Sequence, residues 1–76
     1  MNITLKAARV NKNLTQEEAG KILGVTKYTV GNWENGKSYP DADQIKKIEK
    51  LYEVNYDDII FLTKNNAFSV IDSWWR

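Results

Sequence analysis

The sequence contains no cysteine and no histidine, and each absence excludes a kind of site. Without cysteine there is no disulfide, and without either residue a Cys/His zinc site cannot form. Enzymes also draw many of their general bases and nucleophiles from these two residues, and no glycine-rich phosphate loop is present. We therefore predict no catalytic residue, no metal site and no cofactor.

Long apolar runs are also missing. No stretch of about 18 apolar residues could span a membrane, and no signal peptide opens the chain. We expect a cytoplasmic protein. Its 76 residues suit one small domain, of which about 60% of the unfolded surface becomes buried. The apolar content of 42%, with three Trp, four Tyr and two Phe, is sufficient for a hydrophobic core.

A net charge of +1 conceals an uneven distribution. Residues 1–40 hold six Lys or Arg against three Glu, whereas residues 41–62 hold three Lys against six acidic residues. Such a domain can present a basic face to a polyanion while remaining nearly neutral overall. The alternative is that these are ordinary solvated charges.

Spacing and caps predict two helices in the first third of the chain. The first covers residues 4–12, where one stripe carries Leu5, Ala8, Arg9 and Lys12. Thr15 and Glu18 have the spacing of a capping box, so a second helix begins after Thr15. Its apolar face carries Ala19, Ile22 and Leu23, and Gly24 suits a left-handed helix end.

The segment "GVTKYTVGNWENG" predicts a third helix over residues 26–35, with Thr26 as its cap and Gly36 after its end. At 100° per residue, the inward face carries Val30, Trp33 and Glu34. The opposite face carries Tyr28, Gly31, Asn32 and Asn35. This outer face has hydrogen-bonding groups and no large aliphatic side chain.

Two more helices are predicted after Pro40. Asp41 caps a fourth helix that runs to about residue 53, with Ile45, Ile48, Leu51 and Tyr52 on its apolar face. Asn55 and Asp58 repeat the capping pattern and predict a short fifth helix containing Ile59, Ile60 and Leu62. The remainder, residues 63–76, fits either a helix or a strand.

The second and third helices have the spacing of a helix-turn-helix. Gly20 is small enough for the two helices to cross closely, and Gly24 supplies the positive φ of the turn. The inward positions of the unit are apolar: Ala19, Leu23, Val25, Val30 and Trp33. The second helix of such a unit inserts into the major groove of DNA.

The segment "LTQEEAGKILGVTKYTVGNWENGKSYP" resembles the Cro/C1-type, or XRE, helix-turn-helix family of bacterial and phage repressors. The shared pattern is Leu-Thr-Gln, then Leu-Gly-Val, then Trp-Glu-x-Gly-Lys and a proline. The resemblance covers roughly residues 4–62 and implies an all-α, five-helix, lambda-repressor-like fold. It departs from the family pattern at Ala19, where leucine is usual, and at Gly20, where alanine is usual.

The resemblance implies a set of DNA contacts. Bases would be contacted by Lys27, Tyr28 and Asn32. Phosphates would be contacted by Gln16, Asn35, Lys37, Ser38 and Tyr39. Gly31 lies inside the recognition helix, where glycine costs about 1 kcal/mol relative to alanine.

Arg9 and Glu34 lie on the inward stripes of their helices, and inward charges of opposite sign should pair; the family resemblance suggests the same ion pair.

The expected function is sequence-specific binding of double-stranded DNA by a transcriptional regulator, a repressor acting on a palindromic operator. The alternative is a protein-interaction module of the same fold, such as an antitoxin or an antirepressor. We predict a homodimer whose contact lies beyond about Asp57, because more apolar residues follow than one small core can cover. The other possibility is that residues 63–76 fold back and cover their own core.

Overall fold

The computed structural model describes residues 2–62, which form four α-helices, one 3₁₀ turn and two short strands. In chain order these are β1 (Ile3–Thr4), α1 (Leu5–Asn11), α2 (Gln16–Leu23), α3 (Lys27–Asn35), α4 (Ala42–Tyr52), the 3₁₀ turn (Tyr56–Asp58) and β2 (Ile59–Ile60). The two strands pair in parallel, with Ile3 opposite Ile59 and Thr4 opposite Ile60. The pair joins the beginning of the domain to its end.

Side-chain caps explain why the four helices begin where they do. The caps are Thr4, Thr15, Thr26 and Asp41, and each accepts a hydrogen bond from the backbone N–H three residues later. One such cap contributes about 1 kcal/mol to stability. The four predicted helices are therefore present, with bounds that differ from the prediction only in assigning the cap residues outside the helices.

The predicted fifth helix is wrong. Asn55 makes no side-chain capping bond, and the backbone N–H of Tyr56 bonds to the Glu49 carboxylate at 2.8 Å instead. After a single 3₁₀ turn, Ile59 adopts an extended conformation and pairs with Ile3. β-Branched isoleucines favour strands over helices, and the partner strand decides the outcome. The fold is consequently mainly, but not entirely, α-helical.

The core lies between the helices and the strand pair. It contains Leu5, Ala8, Ala19, Leu23, Trp33, Ile48, Tyr52 and Ile59. Ile22, predicted on the apolar face of the second helix, is outside the core and 59% exposed. Ala19 and Leu23 lie one turn apart on the face of α2 that packs against the core. Ile22 lies about 100° away from Leu23 around the helix.

Residues 63–76, with the helix-or-strand alternative predicted for them, lie outside the described residues. Among the helices within residues 2–62, none has both the length and the apolar character needed to cross a membrane.

Candidate nucleic-acid interface

Helices α2 and α3 are joined by a tight turn. The side chains of the capping box at Thr15 and Glu18 each bond the other residue's backbone N–H, which fixes the start of α2. Because the Glu18 carboxylate accepts a hydrogen bond from the Thr15 backbone N–H, the pKa of Glu18 falls below its usual value. Gly24 ends α2 in the left-handed region with φ 79°, and the Val25 N–H bonds to the Gly20 carbonyl at 2.8 Å.

The close contact between the two helices depends on Gly20. A Cβ at this position would lie 2.6 Å from the Val25 carbonyl oxygen, well inside van der Waals contact. Glycine is therefore required at position 20 because there is no room for a side chain, and not because the backbone conformation needs it. The turn and the packing hold α3 in one orientation relative to the rest of the domain.

Helix α3 has one buried face and one exposed face. Val30, Trp33 and Glu34 are buried. On the opposite side, the face predicted from the helical spacing, Tyr28, Asn32 and Asn35 are exposed and Gly31 is half-buried. Lys27, the first residue of the helix, is also exposed. Tyr28 is 72% exposed, and the Lys27 ammonium lies 5.4 Å from the centroid of its ring. The structure thus brings together the residues predicted to contact bases.

The backbone at the end of α3 holds the next predicted contacts. Gly36 adopts φ 78°, and the N–H groups of Lys37 and Ser38 both bond to the Asn32 carbonyl, at 2.9 and 3.4 Å. The side chains of Lys37 and Ser38 are exposed beside Asn35 at this helix end. They form a polar extension of the exposed face.

Tyr39 is placed differently from its neighbours. Its hydroxyl donates a hydrogen bond to the Leu62 carbonyl at 2.9 Å. Its ring packs edge-to-face against the Phe61 ring, with the two ring centroids 6.2 Å apart. Phe61 also contacts Tyr56, with ring centroids 5.8 Å apart. The sequence does not predict this contact, since residues 23 positions apart in different elements leave no periodic signal.

Arg9 and Glu34 form a salt bridge inside the domain. Arg9 Nε lies 2.7 Å from Glu34 Oε2, and Nη2 lies 3.2 Å from Oε1. The hydrogen bond with Glu34 holds the pKa of Arg9 above its usual value. Arg9 Nη1 also donates to the Leu14 carbonyl at 2.7 Å, just before the start of α2.

Gln16 joins this ion pair. Its Nε2 donates to Glu34 Oε1 at 3.1 Å, so one N–H of the predicted phosphate contact is bonded within the protein. From the sequence, Gln16 and Glu34 have separate predicted roles, and the bond between them is not predicted. The sequence shows only that Gln16 begins α2 and that Glu34 faces inward from α3, and neither position by itself predicts a hydrogen bond between them.

Acidic side chains do not form a metal site in the described part of the chain. Within residues 2–62, no group of three or more His, Cys, Asp or Glu side chains is placed to hold a metal ion.

A helix-turn-helix family model matches residues 5–59. The chain therefore belongs to the Cro/C1-type, or XRE, helix-turn-helix family, whose members are DNA-binding transcription regulators. This family is generally non-enzymatic.

Several bacterial and archaeal proteins are similar to this chain. The HTH-type transcriptional activator BcrR of Enterococcus faecalis is 37% identical over 59 residues, which are 78% of this chain and 29% of BcrR. An HTH-type transcriptional regulator of Methanocaldococcus jannaschii is 41% identical over 59 residues, 78% of this chain and 89% of that protein. The HTH-type transcriptional regulator ImmR of Bacillus subtilis is 34% identical over 56 residues, 74% of this chain and 44% of ImmR. The chain thus spans less than a third of BcrR and less than half of ImmR.

Proposed function

We propose that this chain is a sequence-specific transcriptional regulator that inserts α3 into the major groove of double-stranded DNA. The exposed face of α3 carries the proposal: it is polar, free of large aliphatic side chains, and fixed by caps at both ends and a buried opposite face. Base edges are read by hydrogen bonds from such a helix.

Each exposed residue of α3 has a role that follows from its chemistry. Asn32 can pair with adenine through two hydrogen bonds, and Lys27 can donate to guanine. Tyr28 packs against a thymine methyl group or bonds a phosphate. Phosphate contacts come from the two ends of the motif, namely from Gln16, Asn35, Lys37, Ser38 and Tyr39.

We propose repression as the regulatory outcome, and a cytoplasmic location, where the DNA lies. Repression requires only that the bound protein occupies a site overlapping a promoter. BcrR is named an activator, so family membership leaves the direction of regulation open. A promoter–reporter assay with the selected site distinguishes the two, since repression lowers expression when the protein is supplied.

Selection of bound fragments from random-sequence duplex DNA tests the proposed recognition. We expect one consensus with two inverted half-sites whose centres lie about 34–36 Å apart. Asn32→Ala should relax the preference at one or two base positions, and Asn55→Ala, an exposed asparagine outside the motif, should leave it unchanged. No enriched sequence, or an unchanged consensus with Asn32→Ala, contradicts the proposal. Binding to a protein that survives Asn32→Ala would favour the interaction module instead.

We further propose that the palindromic site is bound by a homodimer whose contact begins near Asp57. The described end of the chain leaves apolar surface exposed, since Ile60 is 43% and Leu62 39% exposed. The remaining predicted contact residues lie in 63–76, outside the described residues. A twofold interface would double the DNA contacts of one domain.

Ultracentrifugation of the full chain and of a version ending at Asn66 tests the dimer. We expect the full chain to be dimeric and the shortened chain to be monomeric with an unchanged circular dichroism spectrum. A monomer in both cases, even with a palindromic duplex present, contradicts the proposal.

A further inference from the structure

The Glu34 carboxylate accepts three hydrogen bonds from two other elements. Arg9 donates two of them from α1, and Gln16 Nε2 donates the third from the first position of α2. Glu34 is only 7% exposed, so its own side chain is shielded from solvent. The ion pair therefore extends to a side chain at the edge of the proposed DNA-binding surface.

The bond from Gln16 determines which way its amide faces. A carboxylate accepts hydrogen bonds and donates none, so the amide nitrogen must turn toward Glu34 and the amide oxygen away from it. An unrestrained glutamine could present either atom to a ligand. The amide nitrogen carries two N–H groups, and the bond to Glu34 uses one of them.

The Gln16 amide lies against Gly31 of α3. A Cβ at Gly31 would be 3.4 Å from Gln16 Nε2 and 3.5 Å from Oε1, which places the amide directly against α3. Gly31 belongs to the outer half of α3, between Lys27 and Asn35 around the helix. The Gln16 amide thus borders the surface that carries the predicted base contacts.

We propose that Glu34, itself held by Arg9, is a positioning residue for DNA binding: it orients the Gln16 amide so that the second N–H donates to a DNA phosphate. This inference rests on the proposed function. A donor already held in its binding orientation loses little conformational freedom when it binds, which favours affinity. The buried pair would then contribute to DNA binding as well as to folding.

A double-mutant cycle on DNA affinity tests the positioning role. The probe is a labelled random-sequence duplex of about 20 base pairs at low salt, which reports phosphate contacts. Gln16→Ala should weaken binding by about tenfold, the effect of losing one charge-assisted hydrogen bond. In a protein carrying Arg9→Met and Glu34→Leu, the same change should weaken binding by less than about twofold because the amide is no longer oriented.

Lys37→Ala is the matched control, since Lys37 is a predicted phosphate contact whose backbone bond is to Asn32 and not to the ion pair. It should weaken binding equally in both backgrounds. Equal losses for Gln16→Ala in both backgrounds would overturn the positioning role while leaving DNA binding intact. A Gln16→Ala protein that binds as the parent does would also overturn it.

The side-chain amide of Gln16 provides a readout that needs no DNA. Gln16 and Gln44 are the only glutamines in the sequence, so their NMR signals are readily assigned. We expect one Gln16 amide proton to be shifted downfield and protected from exchange, and to lose both properties when the ion pair is replaced. If the replaced pair fails to fold, Glu34→Gln, which keeps an acceptor oxygen, should retain a weaker shift. An unshifted, unprotected Gln16 amide in the parent protein overturns the inference. A parent that shows the bond but binds no duplex instead contradicts the proposed function.

Discussion

Gly20 and Gly31 differ in the space around them, and substituting alanine at each position should therefore have opposite effects on stability. At Gly20 a Cβ would meet a backbone carbonyl oxygen at 2.6 Å, whereas at Gly31 the nearest atom is the flexible Gln16 amide at 3.4 Å. We expect Gly20→Ala to destabilise the fold by about 1–3 kcal/mol through overpacking. Gly31→Ala should stabilise it by about 0.5–1 kcal/mol, the helix preference of alanine over glycine.

Urea denaturation of the two alanine variants measures both effects. Each variant adds the same methyl group to a helical position, so each is a control for the other. A stable Gly20→Ala protein would contradict the close helix contact, and a destabilised Gly31→Ala protein would contradict the available space at that position.

Lys37 tests the phosphate contacts at the end of α3. Bound lysines release condensed counterions, so Lys37→Ala should weaken binding to all sequences alike and reduce the salt slope by about one unit. The measurement is DNA affinity at several salt concentrations. Lys50→Ala removes the same charge from an exposed position of α4, outside the helix-turn-helix, and should keep the parental slope. A Lys37→Ala protein with the parental slope would exclude Lys37 from the interface.

The buried Tyr52 makes the folded state less stable at alkaline pH. Burial raises the pKa of its phenol to about 12, assisted by the Glu34 carboxylate and opposed by Arg9. The folded state therefore holds this proton more tightly than the unfolded state, whose tyrosine titrates near pH 10. The resulting stability is fully present below about pH 10 and is lost as the pH rises toward 12.

Tyr52→Phe isolates this contribution, because phenylalanine keeps the ring and has no proton to lose. We expect the urea midpoint of the parent to fall more steeply between about pH 10 and 12 than that of the variant. All other side chains are the same in both proteins, so their contributions cancel in the comparison. Parallel curves would show that Tyr52 does not carry the effect.

At the scale of elements, the contact of Tyr39 with Phe61 and Leu62 joins the segment after α3 to the end of the domain. Tyr39→Phe keeps the ring contact and removes the hydrogen bond to the Leu62 carbonyl. We expect a loss of about 0.5–1.5 kcal/mol in the free energy of unfolding, measured in urea.

Tyr56→Phe is the matched control for this change, since Tyr56 also contacts the Phe61 ring. Its effect on stability should be smaller. The DNA affinity of Tyr39→Phe answers a second question, because the same hydroxyl was predicted to contact a phosphate. An unchanged affinity would leave Tyr39 with a structural role alone.

At the scale of the whole molecule, the Arg9–Glu34 pair ties α1 to α3 across the core. Replacing Glu34 alone with leucine should cost about 3–5 kcal/mol, since Arg9 is left buried without its partner. Replacing both, as Arg9→Met with Glu34→Leu, should cost far less. Urea denaturation measures both, and Glu17→Leu, on the exposed side of α2, is the control. A loss below about 1 kcal/mol for Glu34→Leu alone would show that the pair contributes little.

The sequence by itself determined the four main helices and the exposed face of α3. Their signals are local: a cap residue and a backbone N–H three positions later, or side chains three and four positions apart, lie within one helical turn. The helix-turn-helix was readable for the same reason, because Gly20 and Gly24 act on immediate neighbours in the chain.

Only the tertiary structure decided the features that join distant segments. The preference of β-branched Ile59 and Ile60 for a strand is weak, and the capping pattern before them favours a helix. Pairing with Ile3 and Thr4 therefore decides the outcome. The orientation of the Gln16 amide likewise depends on Glu34, 18 positions away, and the place of Tyr39 depends on Leu62. Such contacts depend on how the chain closes in space, and a one-dimensional pattern of residues does not contain that information.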